Sequence, residues 1–488
     1  MVKLSLRALV AASLLLVPTV QANLNATEAC IQISKAISSS SEVFWPGSIH
    51  YGQDTHHWAT SSSQLSACSV EPGTAEDVGK ILQIVGSTRT PFSVKGGGHA
   101  TNPGFSSSTG VHIALTRLNE VTYHAVNQTA TVGAGLVWDD VYEGLEPHGV
   151  NVVGGRVTGV GVAGFTLGGG YSWLSNQYGL TVDNTLSYEL VFPNGTVSLV
   201  DSSNPDLLFA LKGSAYNNYG IVTRFNFKAY PQGQVWGGLL TATADQLDAV
   251  NEATLNFSNN VTDPKAQIIT AYNFVLGEPG ASILLFYDGP SPPAGIFDDF
   301  LAIKAFTKDV KTRSFLSLVQ SSPSDATSNQ RGAFHTVSLL EYTPALIDAI
   351  VNETRFLGPR LGLASATFLS YDVEPFLPSI FAKGTTKTAS YPPSRAQSLL
   401  PLNLYFAWTF SAADETIRNA IVQSAEQITK VAVSEGQSIS NAPLYSNYAI
   451  DSTPKDKIFG ENLSMLQILK AQYDPSGVMD LAGGWKFQ

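Results

Sequence analysis

PFSVKGGGHATNPGF, from Pro91 to Phe105, opens the part of the chain that decides its fold, and GGRVTGVGVAGFTLGGGYSW, from Gly154 to Trp173, closes it. Both stretches place runs of glycine next to few bulky side chains. Glycine allows positive φ angles and a close approach of the backbone to a ligand. Successive backbone N–H groups also form concave seats for phosphate oxygens. Two such loops predict a large phosphorylated cofactor that lies between them.

The two glycine loops also carry a specific order of residues. KGGGH, which ends at His99, is followed about sixty residues later by GRVTGVGVAGFTLGGGYSWLSNQYGLTVDN. This pattern resembles the FAD-binding domain of the vanillyl-alcohol oxidase / p-cresol methylhydroxylase superfamily, known as the PCMH type. Within it, the chain is most similar to the berberine-bridge-enzyme-like, oxygen-dependent FAD-linked oxidoreductases of fungi. The resemblance runs from about Ser61 to Pro231 and resumes over roughly the last fifty residues.

The resemblance implies that FAD is the cofactor. In the family, the histidine of the first loop is bonded to the flavin 8α-methyl group, and the matching residue is His99. Many relatives carry a second bond, from a cysteine to flavin C6, but Val157 stands at that position. We therefore expect attachment through His99 alone. The other residues that the resemblance places against FAD are Lys95, Gly96, Gly97, Gly98, Gly159, Gly161, Gly164, Gly168, Gly169, Gly170 and Asn447.

The electron acceptor is indicated by Val160, three residues beyond Val157. Its position resembles the oxygen gate of the family, where a small valine goes with oxidases and a larger aliphatic residue with dehydrogenases. Packing in the core is the alternative role for any valine. Val160 favours dioxygen as the acceptor.

The catalytic base is less evident from the sequence. Oxidation of an alcohol or amine needs hydride transfer to the flavin and a base that removes the other proton. The resemblance makes Tyr445 and Tyr448 candidates, and both are equally suited to packing or to seating the flavin. Tyr171 and Trp173, after the GGG triplet, are candidates for the substrate wall.

Gly159 to Gly164 also satisfies the dinucleotide pattern G-x-G-x-x-G, and Asp183 lies about twenty residues beyond it. A nicotinamide cofactor is therefore one alternative, although the pattern alone is a weak signal. Gly168 to Gly170 fall where the required helix should continue, and glycine destabilises a helix interior. Tight turns in a β-rich domain are the other alternative for each glycine cluster. The two clusters together, with the C-terminal resemblance, favour flavin.

The composition restricts the partners. A length of 488 residues favours two or three domains. The net charge of −11 argues against binding to nucleic acid, whose phosphates need a basic face, and against an anionic membrane surface. We expect the partners to be a small-molecule substrate and dioxygen.

The N-terminus indicates export. Lys3 and Arg7 precede an apolar run that is too short to span a bilayer, and a small-residue cleavage site ends at Ala22. Segment 1–22 is therefore predicted to be a secretory signal. The sequons that fit glycosylation of an exported chain begin at Asn25, Asn127, Asn194, Asn256, Asn260, Asn352 and Asn462.

Cys30 and Cys68 are the only cysteines, and an exported protein most simply pairs them. A catalytic thiol or a metal site is the alternative, but no histidine cluster has ligand spacing. The neighbouring pair His56 and His57 is expected on the surface.

The order of strand and helix patterns predicts an α+β fold, because strands and helices mix without strict βαβ alternation. Thr74 is expected to cap a helix that ends near Gly86, and Phe92 to Val94 to form a strand that enters the first loop. The expected parts are a signal (1–22), an N-terminal segment (23–60), a PCMH-type FAD-binding domain (61–233), a substrate domain with an antiparallel sheet covered by helices (234–435) and a C-terminal segment that returns to the FAD domain (436–488).

The sequence thus predicts a secreted FAD-dependent oxidase that releases hydrogen peroxide. Its expected substrate is a small organic alcohol or related centre, in fungal secondary metabolism. One alternative is an oligosaccharide oxidase, which would have an open groove lined by aromatic residues. An alternative of another class is a secreted binding module without turnover.

Overall fold

A computed structural model describes residues 25–214, 216–385 and 388–487, so the predicted signal at 1–22 lies outside the described residues. The described chain contains three β-sheets with helices packed around them. The α+β prediction is confirmed.

The first sheet leads the chain into the first glycine loop. Its strand order is β1-β2-β4-β3, and all neighbours are parallel except β1 and β2. The strands are β1 (Glu42–Phe44), β2 (Cys68–Glu71), β3 (Phe92–Lys95) and β4 (Val111–Ala114). The helices are α1 (residues 25–36), α2 (Ile49–Thr55) and α3 (Ala75–Thr88).

Helix α3 and strand β3 follow the sequence prediction. The Thr74 hydroxyl accepts a hydrogen bond from the Asp77 N–H at 3.1 Å, which satisfies one unpaired donor at the start of α3. The helix ends two residues beyond the predicted Gly86. Cys30 on α1 and Cys68 on β2 form the predicted disulfide, with Cα atoms 6.2 Å apart. The bond fixes the N-terminal segment to this sheet.

The second sheet is antiparallel and carries the second glycine loop. Its order is β5-β6-β10-β8-β9, and β7 pairs with β10. The strands are β5 (Val121–His124), β6 (Thr129–Gly133), β7 (Val150–Val152), β8 (Thr185–Val191), β9 (Val197–Val200) and β10 (Ile221–Pro231). The helices are α4 (Trp138–Leu145), α5 (Val162–Leu167), α6 (Ser175–Tyr178) and α7 (Pro205–Leu211).

The third sheet has seven antiparallel strands in the order β14-β11-β13-β12-β16-β17-β15. The strands are β11 (Val235–Thr243), β12 (Ala266–Val275), β13 (Glu278–Tyr287), β14 (Thr307–Arg313), β15 (Arg331–Leu339), β16 (Ala366–Val373) and β17 (Leu400–Trp408). The helices after β11 are α8 (Leu247–Asn260), α9 (Asp298–Ala302), α10 (Phe315–Val319), α11 (Pro344–Gly362), α12 (Asp414–Ser434), α13 (Asp456–Phe459) and α14 (Leu463–Tyr473).

The two faces of the third sheet have different environments. Tyr272 and Tyr371 point into an apolar core that includes residues of α8, α11 and α12. Their strand neighbours Asn273 and Asp372 point to the opposite face, because side chains alternate along a strand, and both line a cavity. The predicted antiparallel sheet with a helical cover is confirmed, and its uncovered face forms one wall of the site.

One local prediction is wrong. The apolar spacing of residues 298–306 predicts a helix over the whole segment, but α9 ends at Ala302. The Phe306 N–H donates to the Thr241 carbonyl at 2.8 Å, so the chain leaves the helix to begin the edge strand β14. The pairing of β14 with β11 therefore outweighs the helical pattern of residues 298–306.

Candidate active site

A cavity of about 680 Å³ lies between the two glycine loops and the uncovered face of the third sheet. This volume is typical of a cofactor or ligand site. Of the predicted site residues, those in its wall are Gly96, Gly97, Gly98, His99, Val157, Val160, Gly161, Gly164, Tyr171, Tyr445, Asn447 and Tyr448. Two loops and a C-terminal segment that are far apart in sequence therefore meet at one cavity.

The second glycine loop is held open against residues 136–138. The Trp138 N–H donates to the Val160 carbonyl at 3.0 Å, and the Val162 N–H donates to the Leu136 carbonyl at 2.9 Å. The Asp139 carboxylate accepts from the Thr158 hydroxyl at 2.7 Å and from the N–H of Gly159, whose φ is +81°. These bonds fix the conformation of the loop.

Five predicted cofactor residues support the site without lining it: Lys95, Gly159, Gly168, Gly169 and Gly170. The Lys95 ammonium donates to the carbonyls of Gln53 and Asp54 at 3.1 and 2.6 Å. It anchors the first loop to the N-terminal segment. A Cβ atom on Gly168 would lie 2.1 Å from Oδ1 of Asn447, so a larger residue would displace the C-terminal segment.

His99 is held by aromatic packing. Its ring stacks on Trp58 with centroids 4.3 Å apart and planes 16° apart. Its Nε2 is buried without a hydrogen-bond partner in the described chain. Burial lowers the pKa of His99 from 6.5 to about 4. The imidazole is therefore neutral at ordinary pH, which a nucleophilic ring nitrogen requires.

The C-terminal segment 445–451 closes the cavity from the side of both loops. The Tyr445 hydroxyl accepts from the Gly170 N–H at 3.1 Å and from the Asn447 amide at 2.8 Å. Asn102, within the first loop, donates to the Ala449 carbonyl at 2.9 Å. The segment is thus bonded to each loop.

An ion pair in the cavity wall was missed from the sequence. One terminal nitrogen of Arg156, Nη2, lies 2.7 Å from a carboxylate oxygen of Glu374 and 2.9 Å from the Tyr448 hydroxyl. Tyr448 in turn donates to Glu374 at 3.1 Å. Arg156 Nη1 is buried without a partner in the described chain. The available signal was a single charged residue, Arg156, within a loop of glycines and valines.

A carboxyl group in the same wall, that of Asp372 on β16, was also missed. It accepts hydrogen bonds from the Ser370 hydroxyl and from the Asn403 amide, the latter at 3.2 Å. Burial raises its pKa from 3.8 to about 7, and the nearby Glu374 adds to the rise. A carboxyl group with such a pKa can exchange protons at neutral pH. The signal in the sequence was a pair of carboxylates two residues apart, Asp372 near the end of β16 and Glu374 just beyond it.

The tyrosines predicted as bases have other partners. Burial raises the pKa of Tyr445 to about 12 and that of Tyr448 well above 10. Neither is therefore tuned to accept a proton near neutral pH. Tyr171 lines the cavity, and its hydroxyl lies 3.1 Å from that of Tyr391. The prediction for Trp173 is wrong, because its buried indole donates to the Arg156 carbonyl from behind the wall.

The part of the wall formed by the third sheet is largely apolar, with a few polar groups. Its apolar members include Leu239, Ile269 and Phe368. The amide oxygens of Asn273 and Asn403 are buried without a donor in the described chain, while their amide nitrogens are bonded to Ser282 and Asp372. This wall fits an apolar substrate that carries hydrogen-bond donors.

Comparison with known proteins agrees with this site. Residues 66–200 match the family described as FAD binding domain. An FAD-dependent monooxygenase of Aspergillus calidoustus is 30% identical over 487 residues, which cover 96% of this chain and 91% of the relative. An uncharacterized FAD-linked oxidoreductase of Arthroderma benhamiae is 37% identical over 293 residues, which cover 58% of either chain.

Solved structures share the whole architecture. Glucooligosaccharide oxidase from Acremonium strictum, described with a 6-S-cysteinyl, 8α-N1-histidyl FAD, matches with a TM-score of 0.74 at 18% identity, over 93% of this chain and 97% of that chain. Berberine bridge enzyme in complex with (S)-reticuline matches with a TM-score of 0.73 at 16% identity, over the same shares. The chain belongs to the FAD-dependent oxidoreductases that carry this FAD binding domain, and it shares its fold with berberine bridge enzyme. It is an FAD-dependent oxidoreductase, which excludes the binding module without turnover.

The cavity of this flavoenzyme fits FAD. Polar atoms of His99, Trp58 and Arg156 are buried in its wall without partners in the described chain, as expected where a large polar group belongs. A Cβ atom on Gly164 would meet nothing within 4 Å, so space remains beside the first turn of α5. The residues that would hold FAD are those of the two glycine loops.

The nicotinamide alternative does not fit. The strand before the second glycine loop, β7, pairs antiparallel with β10, whereas a dinucleotide fold needs a parallel βαβ unit. Asp183 is not free to bind a ribose, because its carboxylate forms an ion pair with Arg395 at 2.7 Å. The G-x-G-x-x-G pattern here serves a flavin site.

The surface predictions have mixed outcomes. His56 is exposed, but the prediction for His57 is wrong, because its ring is buried and bonded to the carbonyls of Thr55 and Ser106. Of the sequon asparagines, Asn462 is half-buried and its amide nitrogen donates to the Ser390 carbonyl. The exposed ones are Asn25, Asn127, Asn194, Asn256, Asn260 and Asn352. Within the described residues, no helix is long and apolar enough to cross a membrane.

Proposed function

We propose that this flavoenzyme is an oxidase that removes a hydride and a proton from a small organic alcohol or related centre and delivers the electrons to dioxygen. When bound, FAD accepts the hydride and passes two electrons to dioxygen, which leaves as hydrogen peroxide. The observation that carries the proposal is the carboxyl group of Asp372, with a pKa of about 7, in the wall of the cofactor cavity.

Asp372 is the proposed base. Its hydrogen bonds, from Ser370 to one carboxylate oxygen and from Asn403 to the other, fix the orientation of the carboxylate in the cavity wall. The deprotonated form takes the hydroxyl proton as the hydride leaves the adjacent carbon. A base with a pKa near the working pH combines a large active fraction with adequate basicity. Tyr445 and Tyr448 instead hold the second glycine loop and the Arg156–Glu374 pair.

His99 is the proposed attachment point. Its neutral imidazole can bond to the flavin 8α-carbon, and Val157 offers no sulfur for a second bond. The histidyl flavin named in the glucooligosaccharide oxidase structure supports the first bond. A single covalent bond, through His99, would then hold the flavin.

Val160 is the proposed point of entry for dioxygen. It lines the cavity, and its carbonyl is fixed by the Trp138 N–H at 3.0 Å. A side chain this small on a fixed backbone keeps the adjacent space constant, which suits a gas that needs room beside the flavin.

We also propose that the chain is exported, since a disulfide persists only in oxidising compartments.

The apolar wall favours an organic metabolite over a sugar. Leu239, Ile269 and Phe368 would leave the hydroxyl groups of a saccharide without partners, at a penalty of about 1–3 kcal/mol for each buried group. The wall suits a ring system with one or two hydroxyl groups facing Asn273 and Asn403. Secondary metabolites of fungi include many such compounds.

A monooxygenase is the second candidate, favoured by the name of the Aspergillus calidoustus relative. Both functions need dioxygen at the reduced flavin, but they differ in where its atoms go. A screen of aromatic and aliphatic alcohols, read by hydrogen peroxide release, tests the oxidase. One peroxide per oxidised substrate, with no label in the product under ¹⁸O₂, supports it. Labelled product without peroxide would establish the monooxygenase.

A further inference from the structure

Trp58 lies in the N-terminal segment, before the residues that match the FAD-binding family, yet its indole covers one face of the His99 imidazole. Its backbone is fixed on both sides. The Trp58 N–H donates to the Gly98 carbonyl at 3.1 Å, and the Trp58 carbonyl accepts from the Asn329 N–H at 3.0 Å. The indole is thus locked beside the first glycine loop.

Other rings complete the packing around this pair. Phe334 on β15 is parallel to the Trp58 ring within 6°, with centroids 5.8 Å apart, and Tyr405 on β17 lies 5.1 Å from it. Aromatic pairs at these separations stabilise each other beyond the area that they bury. Residues of the N-terminal segment and of the third sheet therefore pack around His99 of the first loop. Together they fix the plane of its imidazole ring.

We propose that Trp58 is the positioning residue for covalent attachment of the flavin: its indole fixes the plane of the His99 ring and keeps water from it. The role rests on the proposed attachment at His99. In that reaction a ring nitrogen of His99 bonds to the 8α-carbon, and the methyl group and the imidazole each lose one proton. Two electrons remain on the flavin, and dioxygen takes them with the two protons as hydrogen peroxide.

The stacking matters because bond formation depends on the direction in which the ring nitrogen points. An imidazole without its aromatic neighbour can rotate about its side-chain bonds and admit water. A displacement of about 1 Å at a reacting atom can slow a reaction about 10²-fold. Water beside the ring would also restore the ordinary affinity of His99 for a proton, and a protonated nitrogen cannot attack. Both effects lower the rate of attachment, and the bond that finally forms is the same.

The test compares Trp58→Ala and Trp58→Phe with the unmutated protein, and Trp45→Ala serves as the matched control. Trp45 belongs to the same N-terminal segment and is 39% exposed. Each full-length protein is purified without its flavin and mixed with FAD in air, and covalent flavin is followed over time as fluorescence of the denatured chain. We expect complete attachment in the unmutated protein and in Trp45→Ala. Attachment is expected to be at least tenfold slower in Trp58→Ala and largely restored in Trp58→Phe.

The pH dependence separates positioning from a general loss of structure. The pKa of His99 in the unmutated protein is about 4, so attachment changes little between pH 8 and pH 5. In Trp58→Ala a hydrated imidazole with a pKa near 6.5 would be about 30-fold less often neutral at pH 5 than at pH 8, and attachment is expected to slow in proportion.

Two results would overturn the role of Trp58. One is attachment in Trp58→Ala at the unmutated rate and with the unmutated pH dependence. The other is equal attachment in Trp58→Phe and Trp58→Leu, the comparison to use if the alanine variant fails to fold. Unmutated protein that releases all its FAD on denaturation refutes the attachment at His99 itself, and with it any role for Trp58 in it.

Discussion

Gly97 and Gly161 meet backbone to backbone across the two glycine loops. A Cβ atom on Gly97 would lie 2.6 Å from both Cα and N of Gly161, and a Cβ atom on Gly161 would lie 2.4 Å from N of Gly97. Real Cβ atoms do not approach other atoms this closely. Two loops separated by a long stretch of sequence therefore depend on each other for their shape, and the cavity depends on both.

Gly97→Ala and Gly161→Ala are expected to expel the cofactor. Either methyl group must push the loops apart, which removes the concave seat of backbone N–H groups. We expect purified variants to be colourless or nearly so, with a melting temperature lowered by several degrees. Gly52→Ala is the control, since its Cβ would meet nothing within 4 Å in helix α2 and alanine is favoured over glycine there by about 0.5–1 kcal/mol. Full flavin content in both loop variants would contradict this prediction.

His99→Ala is expected to convert tightly held flavin into releasable flavin. The unmutated protein should stay yellow through acid precipitation, with no FAD in the supernatant, if the proposed bond joins the cofactor to His99. In His99→Ala all flavin should appear in the supernatant. His56→Ala, which alters an exposed ring of the neighbouring segment, should behave as the unmutated protein. A flavin peptide that maps to another residue would refute the assignment.

Asp372→Asn is expected to slow substrate oxidation about 10²–10⁴-fold, the usual contribution of a positioned base. In the unmutated enzyme, kcat should rise with pH through about 7, as Asp372 loses its proton. That rise should be absent in the variant. Anaerobic stopped-flow reduction of the flavin measures the step directly. A variant with unchanged reduction rates at every pH would exclude Asp372 as the base.

Asp372 also predicts a pH dependence of stability. Its pKa is higher in the folded protein, about 7, than the ordinary 3.8, so the folded state binds the proton more tightly. The contribution of this group to the free energy of unfolding therefore falls as pH rises from about 4 to 7. Thermal melts at pH 5 and pH 8 should differ less in Asp372→Asn than in the unmutated protein. An equal difference in both would show that the carboxyl has no raised pKa.

Val160→Leu is expected to slow the reaction of reduced flavin with dioxygen while anaerobic reduction by substrate stays near the unmutated rate. The added methylene fills space beside the flavin, and overpacking a wall can cost about 1–3 kcal/mol, so only correctly coloured protein should be assayed. Stopped-flow reoxidation is the measurement. A parallel fall in both half-reactions would mean that Val160 only packs. Unmutated reduced flavin that reacts with quinone dyes but ignores dioxygen would make the enzyme a dehydrogenase.

The Cys30–Cys68 disulfide is expected to contribute about 4 kcal/mol to stability, on the chain-entropy model for a loop of this length. Thiol titration of denatured, unreduced protein should detect no free sulfhydryl. The double variant with serine at both positions should unfold at a lower denaturant concentration with little change in cofactor content. Two free thiols in the unmutated protein would contradict the pairing.

The sequence predicted the cofactor side of the cavity because its signals are local. Glycine runs, the cap at Thr74 and the strand before the first loop are each encoded within a few neighbouring residues. Recognition of the C-terminal segment then placed Tyr445 and Asn447 against the second loop. The direction of the Lys95 side chain was nevertheless not predicted. Its ammonium group is bonded to the carbonyls of Gln53 and Asp54, and that contact depends on the packing of another segment.

The substrate side of the cavity could not be predicted from the sequence, because antiparallel pairing assembles it from strands that are far apart in the chain. Asp372 meets Asn403 only through the register of β16 and β17, and Arg156 meets Glu374 across more than two hundred residues. No sequence motif indicates that such residues will meet. Trp58 was missed for the same reason, as its contact with His99 follows from how the N-terminal segment returns to the first loop.

The bonds from Tyr445 to Gly170 and from Asn102 to Ala449 have a consequence for biosynthesis. The ribosome makes both glycine loops long before it makes the residues that close the cavity over them. A nascent chain can therefore fold its first sheets and still lack a complete seat for the flavin. We therefore expect cofactor loading to be a late, post-translational event, and a chain that stops short of Tyr445 to be pale, folded in part and inactive.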